Sequence, residues 1–101
     1  MSRRKRLEEL KIGVACYRRD QWEQFLATAD DSEKLELTWE EWRENVDKWI
    51  NMMRSMGFKV VEVLIDIDEL NEYCRKHHLP NNSETRSQYV ALYVKEHFKE
   101  L

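Results

Sequence analysis

Glycine occurs twice, proline once and cysteine twice in 101 residues, and each scarcity narrows what the chain can be. With so few breakers, long loops have little room. There is no Gly-x-Gly run and no Walker lysine, so no phosphate cradle is written into the sequence. The expected helix starts are occupied by aspartates, which repel phosphate where a bare helix N-terminus would attract it. Two cysteines are too few for a disulfide framework and are expected as free thiols in a reducing cytoplasm. No apolar run approaches the ~20 residues of a membrane span. The basic opening Arg3-Arg4-Lys5-Arg6 leads into Leu-Glu-Glu-Leu-Lys, not into the apolar stretch of a secretion signal. The expected location is therefore cytoplasmic, with no membrane partner.

What is present is enough for one core. The hydrophobic fraction is 42%, with four Trp, four Tyr and three Phe, which argues against disorder despite 37% charged residues. A chain of this length makes one domain, stable by roughly 5–10 kcal/mol without disulfide or metal. Residues 1–6 are expected to form a mobile basic tail and residues 7–101 a single α/β domain. The net charge of −3 argues against a general nucleic-acid coat. Charge is uneven: residues 1–20 carry +4, residues 21–50 carry −6, and the rest −1. The basic end is suited to meet the acidic middle, within one molecule or between two.

Three capping boxes organise the chain. Asp20-Gln-Trp-Glu23, Thr38-Trp-Glu-Glu41 and Asp66-Ile-Asp-Glu69 each place a capping residue three positions before a Glu. The first side chain accepts from an orphan N–H, and the Glu reaches back to the cap. Each box predicts a helix start. The first helix carries Trp22, Phe25, Leu26 and Ala29 on one face. The second, from about Trp39 to Met56, carries Trp39, Trp42, Val46, Trp49, Ile50 and Met53, with Gly57 at its left-handed end. The third carries Ile67, Leu70, Tyr73, Cys74 and His77 and is broken at Leu79-Pro80. Ser83 is expected to cap a last helix running to about Glu100.

Two segments read as strands. Leu10, Ile12, Val14 and Cys16 alternate with their neighbours, and Phe58 to Ile65 holds a near-continuous β-branched run suited to a strand covered on both faces. The order is β-α-α-β-α-α. A helical connection of about 40 residues suits a parallel pair with a right-handed crossover. Two strands alone make a marginal sheet, so either the helices cover it well or its edge continues across a dimer.

Four constellations bear on chemistry. Parallel strands would bring Tyr17, Arg18 and Arg19 to the same edge as Asp66 and Asp68. That is where open α/β sheets bind ligands, and an Asp-x-Asp there suits a divalent ion. Capping and ion pairing explain the same residues without a ligand. Cys74 and His77, at i and i+3, share a helix face and are weak zinc candidates, with Cys16 and His97 as the remaining ligands. The same pair could form a thiol nucleophile and base, but a cysteine beside Ile67 and Leu70 is first a core residue. No cofactor is expected. Of the tryptophans at helical spacing, Trp39 is the one placed to serve a partner surface. In the last helix Val90, Val94, Phe98 and Leu101 define a core face. Tyr89, Leu92 and Tyr93 fall off it and are expected at an interface with a second copy or an unidentified protein. Arg86 reads as a capping or salt-bridge residue.

Three function classes remain. The leading one is a non-enzymatic interaction or regulatory module acting as a homodimer. The second is a small ligand-binding protein or enzyme using the strand-end crevice. The third is a weak nucleic-acid binder through the basic tail, against which the acidic body argues.

Overall fold

The computed structural model of the chain describes residues 11–97. The tail and the last helix's Phe98 and Leu101 lie outside these residues. Strand β1 (Lys11–Tyr17) and strand β2 (Lys59–Ile65) flank helices α1 (Trp22–Thr28) and α2 (Trp39–Ser55); α3 (Ile67–His77) and α4 (Ser83–His97) follow. The strands are parallel and in register from Lys11 opposite Lys59 to Tyr17 opposite Ile65. The β-α-α-β-α-α order expected from the sequence is the order found.

Side-chain alternation sorts the layers. Gly13, Ala15 and Tyr17 share one face with Val61, Val63 and Ile65. A Cβ at Gly13 would lie 2.7 Å from Val90 Cγ1 and 2.8 Å from Val94 Cγ2, so α4 sits on this face and needs glycine beneath it. Tyr17 stacks on Phe25 of α1 at 4.3 Å between ring centroids. Tyr73 of α3 meets Tyr89 of α4 edge to face. Val14 and Cys16 share the other face with Glu62 and Leu64. There α2 lies across the sheet, with Arg43 Nη2 3.0 Å from Glu62 Oε1.

Two of the three boxes form their first half, the cap side chain accepting from the N–H three residues on. Thr38 Oγ1 accepts from Glu41 N–H at 3.1 Å, and Asp66 Oδ1 accepts from Glu69 N–H at 3.2 Å. Asp20 does not cap. Residues Arg19–Gln21 form a 3-10 turn and the α-helix starts at Trp22. Arg18 takes both Asp20 oxygens, at 3.1 and 2.8 Å. Ser83 is likewise the first residue of its helix and not its cap. Asn82 Oδ1 accepts from Thr85 N–H, and Asp31 Oδ2 accepts from Ser83 N–H. Gly57 ends α2 with φ +94°, where Phe58 N–H reaches back to Met53 O as in a Schellman closure.

The core is centred on Phe25, Val63, Ile65, Ile67 and Leu70, all essentially inaccessible. The expectation that β2 is covered on both faces fails at Leu64, which is 64% exposed. The start of α2 is drawn to the end of β1, where Trp39 Nε1 donates to Tyr17 O at 2.7 Å. That leaves the C-terminal end of β2 bare on the α2 side. No helix among the described residues is long and apolar enough to cross a membrane.

Candidate functional site

The parallel strands do bring Arg18 and Asp66 to one edge, as the sequence predicted, but their charges answer one another. Arg18 pairs with Asp20 at 2.8 Å and stands 3.9 Å from Asp66. Arg19 pairs with Glu40 of α2 at 2.5 Å. Asp68 accepts from Gln24 Nε2 at 2.6 Å. Tyr17 is separated from this group, its ring buried against Trp22, Phe25 and Trp42. The edge is thus knit by its own ion pairs, and Asp66 also serves as a helix cap.

The two cysteines are core residues. Cys16 is buried and its Sγ lies 3.6 Å from Glu62 Oε1. Burial, reinforced by the Glu62 charge, pushes this thiol up to about 11. Cys74 is buried with its Sγ 3.9 Å from Pro80 O, and burial raises it too. His77 is exposed and packs on the Tyr73 ring, so the thiol turns inward where the imidazole turns outward. Among the described residues no three His, Cys, Asp or Glu side chains gather in a cluster able to hold a metal.

The expected interface residues separate. Tyr89 is half-buried against Tyr73. Leu92 and Tyr93 are exposed, and Tyr93 stacks on His97 at 4.0 Å. Trp39 is half-buried and holds the end of β1 through its indole N–H.

One concave feature was not anticipated from the sequence. An open groove of about 420 Å³ runs along β1. Its floor takes in Ile12, Gly13, Val14 and Ala15, from both faces of the strand, so it follows the strand edge that β2 leaves free. Trp42, Val46 and Trp49 of α2 form one wall. Ser83, Ser87 and Val90 of α4 form the other, with Arg86 at its base. Among the described residues, the only group outside the strand pair that bonds the β1 backbone is Trp39 Nε1, at Tyr17 O. Alternate residues of a paired strand turn their N–H and C=O outward, so among the described residues this edge offers unmatched backbone groups.

Arg86 explains why the groove holds its shape. It is buried, and its guanidinium meets both Asp31 oxygens at 3.0 and 2.8 Å. It also donates to Asn81 O and Oδ1, and lies 5.1 Å over the Phe25 ring. Asn81 in turn donates through its backbone N–H to Asp30 and through its amide to Asn71. Burial opposes ionisation of Asp31, but the bonds and charge of Arg86 outweigh it and hold the carboxyl below its usual value. This network ties the 29–35 loop and the 78–82 loop to the first turn of α4. Sequence reading found Arg86 as a salt-bridge residue. It missed Asp31 and Asn81, whose only signal was the Asp30-Asp31 and Asn81-Asn82 doublets in polar connectors.

No family model, curated protein or solved structure matches this chain.

Proposed function

We propose that the protein is a non-enzymatic interaction module that works as a homodimer. The observation that carries this reading is the groove along β1, an apolar trough with an open strand edge at its floor. The strand is guarded only at its start, by Lys11. Natural edge strands are blunted by charge, proline or a bulge, and β2 carries Glu62 at its centre. Between Ile12 and Tyr17, β1 has neither charge nor proline.

The groups that would serve a small-molecule site support a chemical reading less well. Both thiols are raised by burial, and the strand-end groups already have partners: Arg18 with Asp20 and Asp66, Arg19 with Glu40, Asp68 with Gln24. The reading is tested by native mass spectrometry of the full chain from low to high micromolar concentration. A species at twice the 12.4 kDa chain mass without an adduct supports it. A monomer throughout, or a monomer carrying a stoichiometric small molecule, contradicts it.

A further inference from the structure

We propose that a second copy of this chain completes the sheet, β1 pairing antiparallel with β1 of the other molecule about a two-fold axis at Val14. The result is a four-stranded sheet in the order β2-β1-β1-β2, an inference that rests on the homodimer reading above. A two-fold axis normal to the sheet keeps both α2 helices on one side and both α4 helices on the other.

Three observations select this occupant. The first is charge. Among the described residues Arg86 is the only ionic one lining the groove, and Asp31 already neutralises it. Two copies with net charge −3 therefore meet here without like-charge repulsion, whereas a nucleic acid or a charged peptide finds no counter-charge. The strand that would enter carries one charge, Lys11 at its first residue, and a two-fold at Val14 sets the two Lys11 at opposite ends of the seam.

The second is fit. Ser83, Ser87 and Ala91 recur every fourth residue and are exposed, so α4 presents small side chains toward the axis. Gly13 already lets α4 lie close to the sheet. Two α4 helices flanking a β1-β1 seam can then pack without large side chains between them. On the other side Trp49 is followed at i+3 and i+7 by Met52 and Met56, 51% and 63% exposed, which extends the apolar wall along α2.

The third is area. Seven strand residues make an edge about 23 Å long at ~3.3 Å per residue. Helices on both sides make the face about 20 Å tall. The projected area, near 460 Å² per copy before the Met52 and Met56 extension, approaches the low end of stable interfaces, about 600 Å² per partner.

The test compares the full chain with Ser87→Arg, Val14→Lys and Leu92→Lys by native mass spectrometry, with circular dichroism to confirm folding. Ser87 is exposed, so its variant reports even if Val14→Lys disturbs the strand. The expected result is a wild-type dimer that weakens roughly tenfold or more in both groove variants and is unchanged in Leu92→Lys. Leu92 lies about 200° around the helix from Val90 and outside the proposed seam. A dimer that survives both groove variants and is lost in Leu92→Lys overturns the strand pairing while leaving the homodimer standing. A monomeric wild type overturns both. If the monomer becomes a dimer on removal of residues 1–10, that segment occupies the groove, and the inference fails for the full chain.

Discussion

Asp31→Ala is the perturbation that most directly probes how the groove is held. Both partners of the Asp31–Arg86 pair are nearly inaccessible, with side chains 12% and 6% exposed. Removing the carboxylate leaves the Arg86 guanidinium buried with only Asn81 and the Phe25 ring as partners, and frees Ser83 N–H. Breaking one side of a buried pair costs about 3–5 kcal/mol, because the surviving charge stays desolvated. Against a total of roughly 5–10 kcal/mol, that is about half the stability. The melting temperature should fall by about 15–30 °C for a domain of this size. Thermal and urea unfolding followed by circular dichroism measure it. The paired replacement Asp31→Leu with Arg86→Met should recover about 2 kcal/mol or more of the loss, since it removes both charges. The acid limb gives a second reading. Asp31 is held below its unfolded value, so its contribution is complete above the ordinary carboxylate range and fades as pH falls through the folded value. Asp31→Asn should flatten that part of the curve. An Asp31→Ala loss within about 0.5 kcal/mol of wild type would refute the reasoning, because that is the range of surface exchanges.

Other expectations follow from single contacts. Gly13→Ala places a Cβ within 3 Å of two valine methyl groups and should cost about 1–3 kcal/mol by urea titration, because β-branched residues on a helix have little rotamer freedom. Gly57→Ala meets no neighbour but must keep φ +94°, so it should cost about 1 kcal/mol from backbone strain alone. Burial pushes Cys16 up to about 11 and Tyr17 up to about 12. The unfolded chain loses these protons first, so stability should decline as pH rises from about 9 to about 12, and Cys16→Ala should remove the earlier part of the decline. A thiol-directed reagent at neutral pH should leave Cys16 and Cys74 untouched in the native protein and modify both in urea. Fast modification of the native chain would contradict their burial.

The fold was legible because its signals are local. The Thr38 and Asp66 boxes, the Trp42-Val46-Ile50 stripe and the Gly57 closure each act within a few residues. The Asp20 box shows the limit of that logic. Its spacing is as good as the others, but Arg18 captures the carboxylate and Gln21 Oε1 turns to accept from Ile67 N–H. A long-range contact thus decided where the helix begins. The strand-end cluster was found because parallel pairing follows from connection length. How its groups are engaged was not legible, since Arg19 meets Glu40 of α2 and Asp68 meets Gln24 of α1 through tertiary contacts. The groove was hidden for the same reason. It joins residues 12–17, Leu35, 42–49 and 83–90, four segments with no mutual pattern in the sequence. The scarcity of charge in β1 was visible as a strand signal, and only the topology shows that the strand has a free edge.

The strand pairing is tested most directly by amide hydrogen exchange of residues 11–17 at several protein concentrations. Alternate amides of β1 turn away from β2. With the strands paired, these outward amides exchange rapidly at low concentration and become protected as concentration rises, while those bonded to β2 are protected throughout. Outward amides that exchange rapidly at every concentration, in a protein whose sheet is otherwise protected, would contradict it.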